Sequence, residues 1–93
     1  MANYEPKNIN FVSAVRDSFA KQTLMQTLGA QLTRVNAGEV EIELKSRDDL
    51  KQQHGFLHAG VVTSIVDTAC GYAALSLMPE GSEVLSVEFK MNL

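Results

Sequence analysis

The sequence predicts an α+β domain built around one long helix. Apolar and polar residues alternate over residues 40–44 and again over residues 84–91, as in strands that bury one face. Between these segments, residues 59–78 form a run of small and apolar side chains whose spacing favours a helix. The predicted order is therefore helix, strand, long helix, strand.

The N-terminal part of the chain is predicted to form two short helices and a hairpin region. Apolar side chains recur at three- and four-residue steps over residues 9–19, as on one side of an amphipathic helix. A second helical stretch, residues 24–28, ends at Gly29, which suits the left-handed conformation that closes a helix. Residues 32–44 indicate a strand or a hairpin, with a turn or a bulge at residues 36–38.

The long helix is predicted to have two different faces. It follows a polar loop, residues 46–53, with or without a helical turn, and residues 79–82 end it and turn the chain. On a helical wheel the apolar face holds Val62, Ile65, Val66, Ala69, Ala73 and Leu77, and the small-residue face holds Gly60, Ser64, Asp67, Gly71 and Ala74. Asp67 is thus one carboxylate at the centre of a face that another backbone can approach closely.

Composition and charge exclude several classes of protein. The chain has 93 residues, a formal charge of -3 and a pI near 5.2. Its 8 basic residues are scattered, whereas phosphate binding requires clustered Lys and Arg, so we expect no nucleic-acid partner. Residues 59–78 approach membrane-spanning length, but they contain Asp67 and several hydroxyl groups, so we expect a buried soluble helix and no membrane partner.

The cysteine content and the first residues predict a cytoplasmic protein. Cys70 is the single cysteine, so the chain cannot form an internal disulfide, and small secreted domains usually carry paired cysteines. Residues 1–10 are polar and contain Pro6, unlike the apolar core of a signal peptide.

The small size predicts that the domain gains stability from a partner. A chain of this length buries a modest share of its surface. Two strands cannot cover a helix of about twenty residues, because isolated two-stranded units are marginal in water. We therefore expect residues 1–93 to be a single domain that lacks its C-terminal strands and forms an oligomer.

A family resemblance rests on two segments that flank the start of the long helix. Residues 52–60 contain Gln52, His54, His58, Ala59 and Gly60, and the second segment begins with Asp67 and continues through Thr68 and Ala69. Together they resemble the His-Gly-Gly…Asp signature of PaaI-like thioesterases, which belong to the hotdog-fold superfamily. The resemblance implies a hotdog fold, in which an antiparallel sheet wraps the long central helix. Ala59 replaces the first glycine of the signature, and Gln52 stands where many relatives carry Asn.

The residues themselves indicate how such a site would act on a thioester. A carbonyl under attack develops negative charge, which a main-chain N–H at a helix N-terminus, here Ala59 or Gly60, can stabilise. Ala59 keeps its N–H, so the replacement need not abolish this stabilisation. Asp67 is predicted to act either as a general base on water or as the nucleophile. The amide of Gln52 can hold a water or the carbonyl, and His58 is predicted to fix the loop.

The resemblance also implies a substrate and an assembly. It implies hydrolysis of a small, medium-chain or aryl acyl-CoA to the free acid and CoA, with His54, Thr68 and Ser86 as substrate-binding candidates and no metal or organic cofactor. It further implies a homodimer or homotetramer in which the catalytic aspartate comes from the facing subunit.

Several alternatives to this interpretation stay open. Asp67 and His54 can be structural hydrogen-bonding groups, and Cys70 a small buried side chain. A metal site at His54, His58 and Asp67 lacks further ligands. At the level of function, the main alternative is a non-catalytic module that binds acyl-CoA or has a regulatory role. The presence of Ala59 in place of the first glycine of the signature favours this alternative. A hotdog dehydratase would require a histidine base that the sequence does not clearly contain.

Overall fold

The computed structural model describes residues 4–92, so residues 1–3, part of the polar N-terminal stretch, and residue 93 lie outside it. Two short helices come first, followed by a two-stranded antiparallel sheet and a longer helix. In chain order the elements are α1 (Phe11–Ala20), α2 (Thr23–Leu28), β1 (Gln31–Asn36), β2 (Glu39–Glu43), a 3₁₀ turn (Asp48–Leu50) and α3 (Ala59–Leu75). The predicted helices, hairpin and loop turn are confirmed.

The two N-terminal helices form where the apolar spacing predicts them. Val15 of α1 is fully buried and packs with Val35 of β1 and Tyr72 of α3. Helix α2 ends at Gly29, whose φ of 74° lies in the left-handed region that glycine adopts without steric penalty. Met25 of α2 belongs to a second apolar cluster that includes Leu50 of the 3₁₀ turn.

The side chain of Arg47 ties the loop after β2 to the end of α2. Its guanidinium donates hydrogen bonds to the carbonyl oxygens of Thr27 and Leu28, at 3.1 and 3.3 Å, which have no partner within the helix. It also donates to Asp49 at 2.9 Å. This hydrogen bond lowers the pKa of Asp49 below its ordinary value. The loop is therefore held close to the start of the sheet.

The hairpin packs through its turn on the end of the long helix. Strands β1 and β2 pair antiparallel with Val35 opposite Val40, and Gly38 in the turn has a φ of 76°. The hydroxyl of Ser76, which is 0% exposed, accepts a hydrogen bond from the Gly38 N–H at 2.7 Å. It donates to the carbonyl of Ala73 at 2.6 Å. Helix α3 ends here, at Leu75, one turn before the predicted turn at residues 79–82.

The face of α3 that packs into the protein differs from the predicted apolar face. Val61 and Ile65 contact the Met25 cluster, and Tyr72 and Leu75 belong to the Val15 cluster. By contrast Val66, which the helical wheel assigned to the buried face, is 41% exposed. The prediction was wrong because the buried stripe lies between the two predicted faces. Tyr72 belongs to neither predicted face, yet it is the residue of α3 that is buried.

The predicted strand at residues 84–91 is also wrong for the described part of the chain. These residues pair with no strand, and Leu85 and Val87 are 86% and 90% exposed. A strand needs a neighbouring backbone to accept and donate hydrogen bonds, and none of the described segments pairs with this one. Side-chain contacts with α3 hold this segment instead, among them a hydrogen bond of 3.2 Å from the Thr63 hydroxyl to the sulfur of Met91.

Candidate active site

A cavity of about 890 Å³ lies between α1, α3 and the segment that follows α3. Asp67 and Thr68 line it from the helix, and Ser86 lines it from the segment opposite. The cavity is open to solvent, and Leu24, Leu75 and Phe89 add apolar surface to its wall. Three of the residues predicted for the site are thereby brought together.

Asp67 is held by one side-chain hydrogen bond. The hydroxyl of Ser86 donates to the Asp67 carboxylate at 2.7 Å, a short distance that is usual for a charged acceptor. The segment that carries Ser86 packs against the small-residue face of α3: a methyl group at Gly71 would lie 3.8 Å from Val84, an ordinary van der Waals distance. The carboxylate keeps its second oxygen for a water or a substrate.

The start of α3 is organised by His58. Its ring nitrogen Nδ1 accepts a hydrogen bond from the Gly60 N–H at 2.8 Å and so caps the helix. The Gly60 N–H is consequently occupied, whereas the Ala59 N–H has no partner among the described residues. Of the two predicted oxyanion donors, Ala59 is the one left free to bind a ligand. The role of His58 in fixing the loop stays a prediction.

The loop before α3 is closed by Gln52. Its side-chain oxygen accepts hydrogen bonds from the main-chain N–H groups of His54 and Phe56. The main-chain N–H of Gln52 donates to the Phe56 carbonyl at 2.8 Å. The side-chain amide nitrogen of Gln52 has no partner among the described residues, so it can donate to a ligand. His54 is exposed, and its ring makes no hydrogen bond within residues 4–92.

The predicted site residues thus form two groups within one chain. Asp67, Thr68 and Ser86 line the cavity, whereas Gln52, His54, His58, Ala59 and Gly60 lie outside its lining. Ala59 and Asp67 are eight residues apart in one helix, which places their backbones about 12 Å apart along its axis at 1.5 Å per residue. One thioester carbonyl cannot contact both groups at hydrogen-bond distance.

Among the polar residues of the cavity wall that the sequence analysis missed, three are joined by hydrogen bonds. The Tyr72 hydroxyl accepts a hydrogen bond from the amide of Gln22 at 2.9 Å and shares another with the Ser18 hydroxyl at 3.0 Å. All three side chains line the cavity. A signal for Tyr72 was present, because Val61, Ile65, Tyr72 and Leu75 follow the spacing of a buried helical stripe. No local pattern identifies Ser18 and Gln22, which contact Tyr72 from a distant part of the chain.

Two further classes of feature are missing from residues 4–92. No three side chains of His, Cys, Asp or Glu lie close enough together to hold a metal ion. No helix in this part of the chain combines the length and the apolar character needed to cross a membrane.

Comparisons with known proteins agree with this architecture. Residues 54–92 match the family model of the thioesterase superfamily. The structure is similar to the crystal structure of a thioesterase family protein from Silicibacter pomeroyi, with a TM-score of 0.85 and 54% sequence identity. The match covers 88% of this chain and 60% of that protein, so the chain spans about three fifths of its length. A search of curated proteins finds no significant match.

The chain is an α+β protein with the hotdog fold, as the sequence predicted. The region from His54 to Asn92, which contains Asp67 and Ser86, is the part that matches the family model of the thioesterase superfamily. The PaaI-like subtype, the single-domain organisation and the roles of individual residues stay predictions.

Proposed function

We propose that the protein hydrolyses acyl-CoA thioesters and that Asp67 is the catalytic carboxylate. The observation that carries the proposal is the position of this carboxylate. It lies on the wall of a substrate-sized cavity, Ser86 orients one of its oxygens at 2.7 Å, and the other is left for a reacting group. The match of residues 54–92 to the thioesterase superfamily supports the reaction type.

Asp67 can promote hydrolysis in either of two ways. As a general base it takes a proton from water while the water attacks the carbonyl carbon. As a nucleophile it attacks that carbon itself and forms an anhydride that water then cleaves. The hydrogen bond from Ser86 is compatible with both, because it fixes one carboxylate oxygen and leaves the other without a partner among the described residues.

The Ala59 N–H is proposed to stabilise the oxyanion. It is the first N–H of α3 and lies at the positive end of the helix dipole. His58 uses the neighbouring Gly60 N–H for its cap, so a single main-chain donor points outwards here. The side-chain amide nitrogen of Gln52, in the adjoining loop, is a second donor for the same carbonyl or for a water.

A complete site therefore requires two copies of the chain. The separation of about 12 Å between Ala59 and Asp67 along α3 is too long for one carbonyl to contact both. We propose a homodimer, or a pair of dimers, in which Asp67 of one subunit faces Ala59 and Gln52 of the other. Exposed apolar side chains on residues 84–89 provide surface for such an assembly.

The same cavity supports the proposed substrate class. Its volume of about 890 Å³ accommodates a small, medium-chain or aryl acyl group, and Leu24, Leu75 and Phe89 provide apolar contacts. The sequence signature around His58 and Asp67 resembles that of PaaI-like thioesterases, which supports CoA as the thiol.

A panel of thioesters tests the proposal. Purified protein is incubated with short-chain, medium-chain and aryl CoA thioesters, and released thiol is measured with a colorimetric reagent. We expect turnover of at least one CoA thioester, and its loss in Asp67→Asn. Stabilisation of the protein against heat by acyl-CoA without any release of thiol would contradict the proposal and favour a non-catalytic binding module.

A further inference from the structure

Arg47 anchors one end of the loop that carries Gln52, although it is not among the residues that line the cavity. Its guanidinium makes four hydrogen bonds at the start of this loop. Two go to the carbonyl oxygens of the last turn of α2, and two go to the carboxylate of Asp49, at 2.9 and 3.4 Å. The planar fork of an arginine suits such a set of acceptors, whereas a lysine ammonium is a point charge without this geometry.

The end of α2 leaves room for this guanidinium. Gly29 follows the helix with a φ of 74°, and a methyl group on it would lie 3.1 Å from Nη1 of Arg47, closer than most such contacts. Glycine at this position therefore closes the helix in the left-handed conformation and also admits the guanidinium beside the carbonyl oxygens that it binds.

Main-chain hydrogen bonds connect the anchored end of the loop to its far end. The Arg47 carbonyl accepts a hydrogen bond from the Leu50 N–H at 3.0 Å, and the Leu50 carbonyl accepts one from the His58 N–H at 2.9 Å. Leu50 is 7% exposed and belongs to the Met25 cluster, so this middle point of the loop is fixed to the core. Gln52 lies within the closed loop, two residues after Leu50.

The orientation of the Gln52 side chain is set by this loop. Its oxygen accepts hydrogen bonds from the main-chain N–H groups of His54 and Phe56, and its amide nitrogen has no partner among residues 4–92. A donor stabilises an oxyanion only at hydrogen-bond distance, and a displacement of about 1 Å can cost up to about a hundredfold in rate. A change in how the loop is held on α2 therefore changes the strength of this donor.

We propose that Arg47 is a positioning residue for thioester hydrolysis: it holds the loop on the end of α2 so that the Gln52 amide is placed to stabilise the oxyanion. The inference rests on the proposed function, because the oxyanion forms only if a thioester is hydrolysed. The effect of Arg47 passes through the loop, and its own side chain does not contact the substrate.

The first test replaces Arg47 by Lys, which keeps the charge and removes the fork. The Arg47 side chain is 43% exposed, so we expect the variant to fold. With the best CoA thioester, kcat should fall by roughly tenfold and KM should stay within about twofold, because the oxyanion develops only in the transition state. Arg34→Lys is the matched control, because Arg34 lies on β1 and pairs with Glu41 at 3.9 Å. It should keep the wild-type kcat.

A double-mutant cycle separates positioning from a general structural role. Gln52→Glu keeps the side-chain oxygen that the loop N–H groups use and removes the amide donor, so it should lower kcat by itself. In that background Arg47→Lys should cost less than about twofold, because the donor that it positions is already gone. An equal tenfold loss in both backgrounds would overturn the inference, as would wild-type kcat in either single variant.

Failure of the proposed function has a different result. If the wild-type protein hydrolyses no thioester, both proposals about the reaction fall, whereas equal turnover of the wild type and Arg47→Lys removes only the role of Arg47. Amide hydrogen exchange checks the anchoring itself in either case. The main-chain N–H groups of Gln52 and His58 should exchange at least roughly threefold faster in Arg47→Lys than in Arg34→Lys. Equal exchange rates would show that Arg47 does not hold the loop.

Discussion

Replacement of Asp67 by Asn is the most direct test of the proposed chemistry. Asn has nearly the same shape and keeps the oxygen that accepts the 2.7 Å hydrogen bond from Ser86. What it removes is the charge and the basicity that either mechanism requires. A positioned general base contributes about a hundredfold to ten-thousandfold to rate, so we expect kcat to fall by at least about a hundredfold.

The fold should tolerate this change. The hydrogen bond from Ser86 is kept, but its acceptor is a neutral amide oxygen instead of a charged carboxylate. The free energy of unfolding should therefore change by no more than about 1 kcal/mol. For a domain of this size, 1 kcal/mol corresponds to a shift in Tm of roughly 4–8 °C. Asp48→Asn is the matched control, because Asp48 is fully exposed, pairs with Lys51 and is not among the residues that line the cavity. It should retain wild-type turnover.

The assay measures thiol release from the best CoA thioester under saturating substrate, together with thermal unfolding of each variant. Wild-type kcat in a folded Asp67→Asn protein would remove Asp67 from the mechanism. A large loss of Tm in the same variant would instead show that the carboxylate is a structural acceptor, since activity would then fall through unfolding.

Three further predictions follow from the same geometry. Light scattering at micromolar concentration should show a dimer or larger assembly, and an active monomer would rule out a site shared between subunits. Ala59→Gly should change kcat modestly, because oxyanion stabilisation uses the main-chain N–H; a rise of about a hundredfold or more would mean that the wild-type donor is misaimed. Ser76→Ala should lower the free energy of unfolding in urea by about 1–3 kcal/mol, because it leaves the Gly38 N–H unpaired. The exposed Ser46→Ala is its control, and equal stability of the two variants would contradict the assigned role.

The sequence predicted the α+β class and most of the elements because their signals are local. The spacing of apolar residues located α1 and α3, Gly29 marked the end of α2, and alternation marked β2. The hotdog resemblance rested on a contiguous loop and one carboxylate at a fixed spacing, and the comparisons confirm that fold. These features depend on neighbouring residues in the chain, which is the information that a pattern contains.

The tertiary structure decided what the patterns could not. Residues 84–91 alternate like a strand but pair with nothing described, because a strand also needs a partner backbone. The buried face of α3 was set by Tyr72 packing against Val15 and Val35 from distant elements, which a helical wheel drawn for one helix does not contain. Likewise the hydrogen bond between Ser86 and Asp67 depends on how the chain turns back after α3, a long-range contact that neither segment specifies alone.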